Sequence, residues 1–238
     1  MIRDRRALYG FTVAFLIIEL ALGVCQQISF GGKFSLWAYG SVILAALFCA
    51  LLFEPSLPYF FTQAALLLTV CADYFLVWRE EQQKLPAMVF FLGAQIFYFL
   101  RLYTQDEGRT RRRVHLLARA GVSLVALLLT LLVLGEGADA LALVSMLYYA
   151  NLLMNLVWSS IYIRKHWLLS IGFLCFLLCD TLIGLSLLDG YLPIKEEGLL
   201  YAVLHPGFNL VWAFYLPSQV CLALSLLPER LNRKENQS

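Results

Sequence analysis

The sequence predicts an all-α integral membrane bundle of about eight transmembrane helices, and three observations carry that prediction. Of the 238 residues, 61% are hydrophobic and only 14% are charged, whereas a soluble domain is nearer half apolar and a quarter charged. Nearly uncharged stretches of about 20 residues recur along the chain, each long enough as a helix to cross a hydrocarbon core of roughly 30 Å. The connectors between them are short, and their arginines and lysines gather on alternate connectors.

The first segment, 7–26, follows Arg3, Arg5 and Arg6 as a signal peptide would. No small-x-small cleavage site comes after it, so it is expected to stay as a helix. Segments 34–53, 57–78 and 87–104 follow, separated by Gly31 and Gly32, by Glu54 to Ser56, and by a polar run near Arg79. After the basic loop 105–113 come 114–134, 140–163, 167–188 and 202–227, with Gly135 to Asp139 as one turn. Pro217 is expected to kink the last of them and free a carbonyl close to Gln219. The whole chain reads as one transmembrane domain, with a duplication of four-helix halves, roughly 1–104 and 114–227, as a further expectation. Its basis is the echo of Phe91, Leu92, Gly93, Ala94, Gln95 in Tyr215, Leu216, Pro217, Ser218, Gln219.

With the amino terminus inside, Arg109, Arg111, Arg112, Arg113, Arg119, Arg164, Lys165, Arg230, Arg233 and Lys234 join Arg3, Arg5 and Arg6 on the cytoplasmic side. Only Lys33, Arg79, Lys84 and Lys195 then lie outside. This matches the positive-inside rule for an even number of spans, so both termini are expected in the cytoplasm and the protein in the cell (inner) membrane. Arg101 is expected to snorkel to the inner headgroup layer. A net charge of +2 is too small to suggest nucleic acid, and the implied partners are membrane lipids. The six cysteines all fall in apolar segments, where they pack as small hydrophobes and no disulfide is expected.

Ionisable groups inside transmembrane helices are expensive and mark functional sites by default. Asp73 and Asp180 qualify, and Glu19 to a lesser degree. Asp73 lies roughly 24 Å along its outward-going helix and Asp180 roughly 20 Å along another, so both reach the outer half. The alternative is that each merely bonds a neighbouring helix and fixes packing. Gln95 with Tyr98, Tyr148 with Asn151 and Asn155, and Tyr215 with Gln219 form polar stripes at helical spacing. These stripes either ring a polar cavity or serve interhelical bonding, the plainer reading for the asparagines. No metal and no other cofactor is expected. His115 and His166 fall at the cytoplasmic side and His205 at the outer side, which prevents their gathering round one zinc ion.

At the two aspartates the sequence resembles the lysoplasmalogenase (YhhN-like) family of multi-pass membrane proteins. Ala72, Asp73, Tyr74, Phe75, Leu76 resembles its first motif; Phe91, Gln95, Tyr98 fits a Phe-x-x-x-His-x-x-Tyr pattern with glutamine at the histidine. Gly172, Phe173, Phe176, Cys179, Asp180 resembles Gly-Ala-x-x-Phe-x-x-Ser-Asp with cysteine at the serine, and Tyr215 with Gln219 meets Tyr-x-x-x-Gln. The resemblance implies hydrolysis of the vinyl ether bond of a lysoplasmalogen, a lysophospholipid-type substrate, to a fatty aldehyde and a glycerophospho head group. Such a bond is cleaved by protonating carbon and capturing the oxocarbenium ion with water. Two carboxyls sharing one proton provide the acid and the negative charge. The implied site is catalytic Asp73 and Asp180, supported by Gln95, Tyr98, Asn151, Tyr215 and Gln219. Two rival readings stand beside it: a small transporter or proton-coupled carrier, and a catalytically silent relative that binds lipid or a partner.

Overall fold

The computed structural model describes residues 5–28, 36–52, 54, 56–79, 82–106, 108–188 and 208–228, and every regular element among them is helical. α1 spans Arg5–Ile28, α2 Leu36–Leu52, α3 Leu57–Asp73, α4 Lys84–Gln105, α5 Arg109–Leu134, α6 Ala140–Ile161, α7 Ile163–Leu188 and α8 Leu210–Leu224. Six helices are long and apolar enough to cross a membrane, while α2, with 17 residues, and α8, with 15, are shorter. The expected span 202–227 begins outside the described residues, as do Pro206, His205 and Lys195.

Local chemistry explains where these helices start and stop. Pro58 sits in the first turn of α3, where its missing N–H leaves no intrahelical bond unmade. The Asp139 side chain accepts from Ala142 N at 2.8 Å to cap α6, and Asn209 accepts from Trp212 N at 3.2 Å to cap α8. α5 ends at Gly135, whose φ of 53° is in the left-handed region, and a 3-10 turn over Gly135–Gly137 leads on. The basic residues expected in a loop start α5 instead, at Arg109, because arginine is a good helix former once the helix projects beyond hydrocarbon. α6 reverses into α7 through Tyr162, whose carbonyl accepts from Lys165 N and His166 N, and His166 is non-helical at φ −123°. That reversal falls where the sequence places the connector between 163 and 167. α3 does not stop at Asp73 but runs into one π-helical turn, Tyr74–Trp78. Such turns are rare and often mark functional sites.

The helices pack as a ring in the order α2, α3, α4, α6, α7, α8, with α8 closing against α2. α1 leans on α2 and α8, and α5 on α6. The outer position of α1 and α5 shows in burial: 17% of each span is buried, against 33–39% for α3, α4, α6 and α7. Leu20, Leu117, Leu132 and Val133 on these two helices are more than two-thirds exposed, as a face turned to lipid requires. The interior reverses the pattern of a soluble protein. Asp73, Gln95, Arg101, Arg119, Asn155 and Gln219 are all buried, as are Phe91, Tyr98, Phe173 and Phe176, and Glu19 is buried between α1 and α2.

Candidate functional site

Asp73 is the last α-helical residue of α3 and is 3% exposed; Asp180, on α7, is half-buried. Tyr215 of α8 donates its phenol O–H to Asp73 Oδ2 at 2.6 Å. Tyr148 of α6 donates in the same way to Asp180 Oδ2. Asp180 lies near enough to Asp73 to act on it electrostatically, and Tyr148 and Cys179 lie near both. Phe176 lies between the pairs, with its ring edge-on to Tyr215 at 5.4 Å and to Tyr148 at 6.3 Å, and Phe91 from α4 closes the group at 5.5 Å from Tyr148. Five of the six ring helices thus contribute to one aromatic-walled carboxylate pair. In each aspartate one oxygen is engaged by a phenol, which leaves the other for a proton or a ligand.

One turn along α6 from Tyr148 lies a second polar layer. Arg119 of α5 donates from Nη1 to Asn151 Oδ1 and from Nη2 to Asn155 Oδ1, both at 2.6 Å, and its guanidinium lies 4.2 Å over the Phe99 ring. Asn155 Nδ2 donates to Gln95 Oε1 at 2.9 Å and to Gln95 O at 3.0 Å. Arg119 therefore turns into the bundle, whereas its place near a basic loop suggests a side chain directed outward. Two amide oxygens and a ring face replace its hydration within the bundle. Asn151 is correspondingly a partner of Arg119 and not a group that contacts the aspartates.

Arg101 also departs from expectation. It is wholly buried, donating to Thr62 Oγ at 2.8 Å, Ser225 Oγ at 2.6 Å and Ser225 O at 3.1 Å, so it ties α3, α4 and the end of α8 together instead of snorkelling outward. Nearby in sequence, Asp106 accepts from Trp158 Nε1 at 3.0 Å and pairs with His115 Nδ1 at 2.8 Å, while the His115 ring stacks on Trp158 at 3.9 Å. Neither arginine bond set nor this cluster has a signature in one sequence, because every partner comes from another helix. Tyr98 and Gln219 are both buried. The Tyr98 hydroxyl has no partner and its ring meets Phe173 edge-on at 5.2 Å. Gln219 Nε2 reaches Ser218 Oγ at 3.1 Å and its Oε1 has no partner. Neither bonds a carboxyl of the pair. α8 continues through Pro217, with Ser218 Oγ bonding back to Tyr215 O at 2.6 Å. Glu19 lies apart from this constellation and accepts from Ser41 across α1 and α2. A groove of about 570 Å³ opens at the other end, beside Arg109, Arg111, Trp158 and Tyr162, and is lined by none of the site residues.

A model of the YhhN family matches residues 34–226, from just before α2 to just past α8, which takes in the ring and both aspartates. No curated protein and no solved structure matches the chain.

Proposed function

Because the chain belongs to the YhhN family, we propose that it is a membrane-embedded hydrolase that cleaves the vinyl ether bond of lysoplasmalogens with Asp73 and Asp180. The observation that carries this reading is the pair of phenol-held carboxyls facing one aromatic-walled interior. In the reaction one aspartic acid gives its proton to the alkene carbon farther from oxygen, which turns the ether into an oxocarbenium ion. The other carboxylate takes a proton from water as that water bonds to the cationic carbon. The resulting hemiacetal then collapses: its C–O bond to glycerol breaks, the glycerol oxygen is protonated, and a fatty aldehyde leaves. One water is consumed and the carboxyl pair ends with the single proton it began with. Burial away from water strengthens the attraction between the remaining carboxylate and the developing cation.

The tyrosines support this chemistry by fixing each carboxylate with a bond to one oxygen. The bundle wall supports it too, since the single alkenyl chain remains in hydrocarbon while the ether bond reaches the ring interior. Both termini and the start of α5 are read as cytoplasmic, with the aspartates in the outer half and the protein in the cell (inner) membrane. The decisive experiment measures aldehyde release by purified protein in detergent from a panel of vinyl-ether lysolipids, with saturated-ether analogues as controls. Release from the vinyl ethers alone supports the assignment. If no vinyl-ether lysolipid yields aldehyde, the hydrolase reading falls and the lipid-binding or carrier readings replace it.

A further inference from the structure

The two ends of the Gln95 amide meet different environments. Oε1 accepts from Asn155, while Nε2 has no partner although the residue is 0% exposed. Turning an amide over exchanges its ends, so which end is left free depends on the surrounding bonds. Here the choice is made two residues away. A guanidinium offers only donors, so Arg119 Nη2 demands the carbonyl end of Asn155, which it meets at 2.6 Å. Asn155 must then turn Nδ2 toward α4, where Gln95 answers with Oε1, and Gln95 Nε2 is the donor left over. The second bond, from Asn155 Nδ2 to the main-chain carbonyl of Gln95, anchors the link to the backbone of α4. Arg119 is itself held by Asn151 and the Phe99 ring. The unpartnered Tyr98 hydroxyl, one turn on, can donate or accept and imposes no such polarity.

We propose that Arg119 is a positioning residue which, acting through Asn155, holds Gln95 with its amide N–H turned free as a donor to an ether or hydroxyl oxygen of the bound glycerolipid. This rests on the reading of the site as one for lysoplasmalogen. It makes the α4 side of the site selective for ligands that bring an acceptor oxygen.

The test uses the full-length protein in detergent and a non-cleavable saturated 1-alkyl ether lysophospholipid as the probe. Asn155→Asp keeps the shape and still accepts from Arg119, but it has no donor for Gln95. The glutamine then turns over and shows its carbonyl where the N–H stood. The expected result is binding weakened at least tenfold in a protein that is still extracted folded, although the bond to the Gln95 main-chain carbonyl is lost as well. Gln95→Glu, which lacks the donor, shows the same loss; Gln95→His, which can present a ring N–H, binds within about threefold of wild type. Wild-type affinity in Asn155→Asp or Gln95→Glu overturns the proposal, as does failure of the unmodified protein to bind the probe. Aldehyde release separates the two readings. Should the wild type bind the probe yet release no aldehyde from the vinyl-ether lipid, the hydrolase assignment fails while the positioning role stands. If it releases aldehyde and Asn155→Asp does so with unchanged KM, the positioning role fails alone.

Discussion

Each carboxylate of the pair accepts one phenol hydrogen bond, and this makes the tyrosines as testable as the acids. Removing the hydroxyl in Tyr148→Phe or Tyr215→Phe leaves the ring packing of Phe176 and Phe91 in place but frees one carboxylate oxygen. A hydrogen bond to a charged group is worth about 1.5–3 kcal/mol, so aldehyde release should fall roughly 10- to 100-fold by the rate arithmetic. Asp73→Asn and Asp180→Asn keep the shape and remove the titrating proton, so each should abolish turnover while the protein is still extracted folded. Wild-type rates in either aspartate variant would defeat the assignment and make Glu19 the next carboxylate to examine. The aspartates were legible because a carboxyl within twenty apolar residues has no cheap explanation. The arginines were misleading for a related reason. Arg119 lies between two and three turns inside the basic start of α5 and Arg101 about one turn before the end of α4, and both positions suit a side chain that snorkels as well as one that turns inward. Only the neighbours decide: Asn151 and Asn155 for Arg119, and Thr62 and Ser225 for Arg101.

At the scale of helices, α7 and α8 pack closely at Gly172. A Cβ built on Gly172 would meet Leu222 Cγ at 2.9 Å and the backbone carbonyl of Ser218 at 3.2 Å, so there is no room for a methyl group. Gly172→Ala gains about 1 kcal/mol of helix propensity, but overpacking against backbone costs about 1–3 kcal/mol and should win. Differential scanning of the extracted protein should show a lower Tm, and activity should fall because the same pair carries Asp180 and Tyr215. Gly93→Ala on α4 is the control, since its new methyl meets only the flexible end of Leu68 at 3.1 Å and the Tm should change little. An unchanged Tm in Gly172→Ala would mean that Leu222 and the Ser218 carbonyl give way to a methyl group at little cost. Among the described residues the order of the helices followed from apolar length, and the α6 to α7 reversal from Arg164, Lys165 and His166. The π turn after Asp73 did not, because Tyr74–Trp78 has the composition of ordinary helix and one altered bond register leaves no mark in residue types.

Among the described residues much of the neighbour order recurs between the halves: α1 with α2, α2 with α3 and α3 with α4 recur as α5 with α6, α6 with α7 and α7 with α8, and α8 meets α2 as α4 meets α6, although α1 also leans on α8 where α5 has no comparable contact with α4. A duplication of four-helix halves is a proposal, and it bears on orientation. Halves of four helices related by an axis along the membrane normal each leave and return to one side, so α5 begins where α1 begins. The start of α5 carries Arg109, Arg111, Arg112 and Arg113, whereas the turn at its other end has Glu136 and Asp139 and no basic residue. Basic connectors stay in the cytoplasm, so the α4 to α5 connector should face inward, the α5 to α6 turn outward, and the aspartate pair the outer half. Thr110 and Glu136 are both exposed and lie at opposite ends of α5. In a background with the six native cysteines replaced by alanine, an impermeant maleimide should label Glu136→Cys in intact cells. It should reach Thr110→Cys only after permeabilisation. The reverse pattern would invert the bundle and place the aspartates in the inner half. Labelling of both sites in intact cells would mean that the long apolar α5 does not cross the bilayer, which would remove the premise that the polar layers lie at membrane depth.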